Sequence, residues 1–204
     1  MTEISITRAL AQVKALNDRI ARATSVVFVT TTVGGKHASG KPAQEVGEQL
    51  KSNLQSVQAL IEQRKAIKSA IVRSNAVTNV VIAGVTQTVA EAIERKSSIV
   101  LEQTLLQQLR VQQAQAVSAV ERTNVAVAAR LDDLIKTAVG KDRQVTAADL
   151  AAITTPFEAQ NKAEVLDPSD ITKVIEQLTT DIDAFLLEVD FALSEVNATT
   201  KIVV

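Results

Sequence analysis

The chain has no cysteine, tryptophan or tyrosine, one histidine, one methionine, three prolines and four phenylalanines in 204 residues. Without cysteine there are neither disulfides nor thiolate metal sites. With His37 as the lone imidazole and no fixed carboxylate near it in sequence, a metal centre lacks ligands. No metal and no cofactor are expected. The short basic clusters Arg64-Lys65-Lys68 and Arg95-Lys96 have no aromatic nearby on which bases could stack and read as solvated helix surface, so no nucleic-acid partner is expected. A net charge of −1 supplies no global field to draw in an anionic partner. Apolar runs all fall short of the ~18 residues that a membrane span requires. The opening MTEISITRAL carries Glu3 and no basic-then-apolar order, so it does not read as a signal peptide, and a soluble protein made in the cytosol is expected.

What the chain does have is a composition 46% hydrophobic, supplied mainly by Ala, Val, Leu and Ile. Such small and branched side chains suit narrow seams between helices. The length fits one domain, 1–204. A phrase recurs three times, in which a helical pattern runs through Asn, Ser or Thr into a β-branched stretch: IARATSVVFV (Ile20 to Val29), IVRSNAVTNVVI (Ile71 to Ile82) and LSEVNATTKIVV (Leu193 to Val204). Three helices that each end in a strand could gather those strands into one small sheet capping a bundle.

Periodicity places the helices. Ile6, Leu10, Val13, Leu16 or Asn17, and Ile20 step by four and three, predicting a helix over 3–23, followed by a strand within Ser25 to Val33. The glycine-rich loop 34–41 leads to a second helix from Pro42 to about Arg73, where Val46, Leu50, Val57, Leu60, Ile67 and Ile71 keep a heptad step and Asn53 and Arg64 interrupt it. A strand TNVVIA turns at Gly84. Thr88 with Glu91 forms a capping-box pattern, and from Val89 to about Lys136 nothing breaks a helix. Such a helix is a rod of roughly 70 Å, longer than an ordinary core needs. Gly140 ends it. Residues 137–166 read as an irregular insertion, with Thr146 to Asp149 capping a short helix that stops before Pro156. The last helix opens with Asp167 as N-cap, Pro168 as first residue and Asp170 in the first turn; Ile171, Leu178, Phe185 and Ala192 form one heptad series and Ile175, Ile182, Val189 and Val196 the other.

The most specific chemical pattern is Gly35-Lys36-His37-Ala38-Ser39-Gly40-Lys41, which has the spacing of a phosphate-binding P-loop. The residue that should be the magnesium-binding Ser or Thr is Pro42, which has no hydroxyl and no N–H, so the loop reads as a basic surface loop. A Ser-His-Asp arrangement would have to use the same His37, with no nucleophile-elbow sequence anywhere. Carboxylate pairs such as Asp132-Asp133 and Asp181 with Asp183 do not share a helix face. No enzyme is expected. From Glu158 to Val196, ten acids face Lys162 and Lys173, a net of −8 that leaves the remainder at +7. An acidic last helix can assist pairing with basic ones, although a solvated face explains the same residues.

IVRSNAVTNVVIAGVTQTVAEAIERK and AEVLDPSDITKVIEQLTTDIDAFLLEVDFALSEVN resemble the helix, short extended segment, helix pattern and the final helix of septicolysin-like bacterial and phage-associated proteins. The resemblance implies a helical fold and a soluble binding or membrane-active module.

The residues themselves predict a mainly α fold: an elongated antiparallel bundle or coiled coil of about four helices with a small sheet of up to three strands at one end. The function expected is structural. The chain would self-associate, and join other proteins of a larger assembly such as a tailed-phage virion, through helical seams and short strands whose unpaired edges invite a neighbour. Val26, Phe28, Val80, Ile82, Ile202 and Val203 would carry the strand contacts, and Ile175, Ile182, Phe185 and Val189 the helical seam. The septicolysin-like module is the alternative. On this reading the C-terminal TTKIVV is a contact between copies, and deleting Thr200 to Val204 should weaken assembly more than it unfolds the helices.

Overall fold

The computed structural model describes residues 2–139 and 146–204. In chain order the elements are β1 (Glu3–Ser5), α1 (Ile6–Thr24), β2 (His37–Ala38), β3 (Lys41–Pro42), α2 (Ala43–Asn75), β4 (Asn79–Ile82), β5 (Val85–Thr88), α3 (Val89–Val139), α4 (Ala147–Asn161), α5 (Ile171–Thr199) and β6 (Lys201–Val203). The fold is mainly helical with small antiparallel sheets, as the heptads predict. The strands do not gather into one sheet, however. They form three separate pairs, β1 with β6, β2 with β3 and β4 with β5. Contacts divide the chain into two compact units, Met1–Ser98 with Ala184–Val204, and Ile99–Asp183.

The first unit is built on a helical hairpin. Ile6, Ala9, Val13 and Leu16 of α1 meet Ile67, Ala70 and Ile71 of α2 in a buried cluster. The two polar interruptions of the α2 heptad are bonded: Arg64 Nε donates to Asn17 Oδ1 at 2.5 Å, and Asn53 Nδ2 to the Val27 carbonyl at 3.3 Å. Those pairings run in opposite chain directions, so α1 and α2 are antiparallel, and one polar pair fixes their register. The first helix starts three residues later than its periodicity suggests because Ser5 is its N-cap. The Ser5 side chain accepts from the Arg8 N–H at 3.3 Å while its own backbone is extended, so Glu3–Ser5 can be a strand.

That strand receives the C-terminus. Ile4 lies opposite Ile202 and Ser5 opposite Lys201; Thr2 and Val204 exchange bonds of 2.8 and 3.1 Å, and the Ile6 N–H donates to the Thr200 carbonyl at 3.0 Å. Ile4 and Ile202 both join the α1/α2 cluster. The C-terminal strand thus pairs within its own chain.

Residues 25–33, expected to be a strand, form none; Val33 makes only an isolated bridge to His37. High β-branched content suits a pleated surface but supplies no partner edge, and Val27 and Val29 stay exposed. In β4/β5 the register runs from Asn79 opposite Thr88 to Ile82 opposite Val85. Ala83 (φ 51) and Gly84 (φ 75) make the turn, a left-handed pair of the kind two-residue hairpins use. The Ala83 N–H donates to Glu188 Oε2 of α5 at 2.6 Å. Next to it the Arg95 guanidinium lies 4.4 Å from the centroid of the fully buried Phe185 ring, and Lys96 pairs with Asp190.

At the start of α3, Thr88 and Glu91 form the expected box: the Glu91 N–H donates to Thr88 Oγ1 at 3.2 Å, and the Thr88 N–H to Glu91 Oε2 at 2.7 Å. These bonds hold the Glu91 carboxyl below its ordinary value, the backbone N–H contributing most. Gly140, expected to end α3, lies outside the described residues.

In the second unit, Arg110 donates to Thr179 Oγ1 at 2.8 Å and Gln113 to Thr172 Oγ1 at 2.7 Å, tying α3 to α5. The stretch expected to be irregular contains the 15-residue α4. Thr146 and Asp149 cap it as expected, and the Thr146 hydroxyl holds the Asp149 carboxyl low, helped by the Thr146 N–H. The helix does not stop before Pro156 but continues to Asn161. A proline inside a helix forfeits one N–H bond. The turn beyond it is held from outside and within: Lys162 N–H donates to the Glu158 carbonyl at 2.9 Å, and Asn124 of α3 clamps both backbone groups of Ala163, at 2.8 and 3.0 Å. Asp167 also acts differently from expectation. Its carboxylate accepts from Ser169 N–H at 3.3 Å and Ile171 N–H at 2.8 Å, so Pro168 to Asp170 form a turn ahead of α5, with Asp170 left-handed (φ 50), rather than its first helical residues.

Candidate functional site

The P-loop-like sequence does not make a phosphate cradle. Its backbone folds on itself: Val33 N–H donates to the His37 carbonyl at 2.7 Å, Lys36 N–H to Val33 at 3.3 Å, and Ala43 N–H to Lys36 at 2.9 Å. His37 and Ala38 pair with Pro42 and Lys41 as a hairpin, and Lys41 Nζ is committed to Glu45 at 3.1 Å. A cradle needs successive N–H groups left open toward one point; here the loop's own carbonyls take several. No group of three or more His, Asp or Glu with metal-binding geometry occurs among the described residues. Likewise, no helix there is long and apolar enough to cross a membrane.

The residues expected to contact other copies are placed unevenly. Val80, Ile82, Ile202, Ile182, Phe185 and Val189 are buried, so they pack inside the chain rather than standing open at an interface. Ile175 is half-buried. Val26 and Phe28 lie outside any strand, Val26 exposed and Phe28 half-buried, which corrects their assignment to a sheet. Val203 alternates with Ile202 and faces solvent. A complete two-position seam reads the same whether its partner is the same chain or another one. Here Phe185 at least is covered from within, by Arg95.

What remains exposed is elsewhere. In the second unit, α3 buries Ile99, Leu106 and Val127 but leaves Val100, Leu101, Leu105, Val111, Val117 and Val125 exposed. Val100, Val111 and Val125 are 11 and 14 residues apart, near-whole numbers of turns, and so share one face. From Gln103 to Val120 the one charge is Arg110, and its guanidinium reaches Thr179. Sequence reasoning had the apolar residues but not the lack of charge between them, which could have been read directly. Comparison with family models, curated proteins and solved structures finds no match, so the septicolysin-like resemblance gains nothing from them.

Proposed function

We propose that this chain is a non-enzymatic structural protein that self-associates within a multi-subunit particle such as a tailed-phage virion. The observation that supports the reading is the charge-poor stretch of α3 from Gln103 to Val120, whose one charge is Arg110 and which leaves Leu105, Val111 and Val117 exposed. A helix that faces water in a monomer ordinarily carries alternating charges there, whereas the centres of protein interfaces are depleted in charge. Burying one Val or Leu side chain fully is worth about 1.5–3 kcal/mol, so several half-exposed ones reward a partner helix. The glutamines alongside can bond across such a seam without the desolvation cost of ions.

Light scattering at micromolar to high micromolar concentration tests the reading. A mass above that of one chain, lowered by Val111→Glu with Val125→Glu, is expected. A single-chain mass over the whole range refutes it.

A further inference from the structure

Two exposed surfaces in the first unit are complementary. On α2, Ile61, Lys65, Lys68 and Val72 follow one another at steps of four, three and four and so form one stripe. Beside Val72 is a shallow groove, widely open to solvent and lined by Arg64, Lys65, Lys68, Ser69, Val72 and Arg73, all of α2. The run Arg64 to Arg73 contains four cations and no acid. Arg64 bonds to the neutral Asn17, and Lys65 meets Glu62 only loosely, at 3.6 Å with both side chains largely exposed. No carboxylate among the described residues lies within ion-pair distance of Lys68 or Arg73.

On α5, Leu187, Phe191 and Ser194 form a stripe at steps of four and three, on the side away from the buried Phe185 and Val189. Leu187 is 72% exposed and Phe191 77%, the latter an unusual cost for one of only four phenylalanines. From Ala184 to Ala198 there are three acids, Glu188, Asp190 and Glu195, and no cation. By helical position they flank the Leu187/Phe191 pair on both sides. Glu188 accepts from the Ala83 N–H and Asp190 pairs with Lys96, so Glu195 is the carboxylate left open beside the apolar pair, facing an apolar stripe set among cations.

We infer that the α2 groove receives the Leu187/Phe191 face of α5 from a second copy of this chain. This inference rests on the self-association reading and names one of its contacts. Phe191 enters the groove beside Ser69 and Val72, while Lys65, Lys68 and Arg73 approach Glu195, Asp190 being paired with Lys96 of its own copy. Large apolar anchors ringed by opposite charges are the pattern of interface hot spots, and the charge match sets both register and encounter rate. Because groove and face are different surfaces, the contact either repeats head-to-tail into a ring or filament or is made twice across a two-fold axis.

The absence of native cysteine makes the test direct. Ser69→Cys and Ser194→Cys are made in separate copies, both positions being exposed. Under mild oxidation at dilute concentration, each alone should stay uncross-linked and the mixture should give a one-to-one cross-linked dimer. Lys65→Glu with Lys68→Glu in the Ser69→Cys copy should cut the yield at least tenfold, and so should Phe191→Glu in the Ser194→Cys copy. If the unmodified protein assembles by light scattering but the mixture gives no cross-link, or if Ser69→Cys links to itself, the groove-to-face contact is wrong while the structural reading stands. A protein that is a single chain at all concentrations overturns both.

Discussion

Replacing Ile202 by Ala tests how the end of the chain is held. Ile202 is 6% exposed, lies opposite Ile4 and belongs to the cluster with Ile6, Ala9 and Ile71. Truncating a buried Ile to Ala removes its transfer energy and leaves a cavity, together about 2–5 kcal/mol. A two-stranded sheet three residues long can relax toward the gap, which places the expected loss near 3 kcal/mol. That is a large part of the roughly 5–15 kcal/mol by which a domain is stable. Val203 supplies the control. It is next in the strand, 56% exposed and on the other face, so Val203→Ala should cost no more than about 0.5 kcal/mol. Urea unfolding followed by far-ultraviolet circular dichroism measures both. Equal midpoint shifts for the two variants would mean that β6 is not docked through Ile202. The same argument reverses the expectation for deletion of Thr200 to Val204, which should destabilise the α1/α2 hairpin before it affects any contact between copies.

Asn124→Ala should cost about 1–3 kcal/mol, because it strands the Ala163 N–H and carbonyl in a half-buried place. Hydrogen exchange at the Ala163 amide should accelerate; unchanged protection refutes the clamp. Ala83→Asn should stabilise by on the order of 0.5 kcal/mol, since Asn tolerates the left-handed conformation better and Asn-Gly is a favoured hairpin turn. Gly84→Ala should destabilise through conformation alone, because nothing lies within 4 Å of the added methyl group; a thermal midpoint unmoved by it would contradict the turn geometry. Glu91 is held below its ordinary value by its bonds from Thr88, so its contribution to stability is present above the ordinary glutamate range and is lost as pH falls through the lower folded value. Thr88→Val removes the hydroxyl but not the backbone donor and should raise the Glu91 midpoint part of the way back, as read by NMR of the carboxyl carbon.

Local signals were readable in proportion to how local their physics is. The Thr88–Glu91 and Thr146–Asp149 boxes, the α2 and α5 heptads and the turn at Gly84 all depend on residues a few positions apart, and each stands where the pattern puts it. Strand pairing is not local. Residues 25–33 carried the strongest β composition and found no partner, while Glu3–Ser5, which looked like the first turn of a helix, became a strand because Lys201–Val203 arrives beside it. Pro156 was read by its average cost, yet the turns after it are held by partners the sequence does not display. For the candidate surface, the seam residues were legible as a stripe but not as inward-facing, since periodicity defines a face without saying what covers it.

The pairing of β1 with β6 also orders events during synthesis. Ile4, Ile6 and Ala9 are made long before Ile202, which completes their cluster. Until then the hairpin of α1 and α2 presents an unfinished apolar edge, and closing it joins Ile4 to Ile202 across a very long loop. Loop entropy grows only logarithmically with length, so the finished state is scarcely penalised, but the route to it is slow. The nascent chain therefore carries that edge open from the synthesis of α2 until Lys201–Val203 has been made.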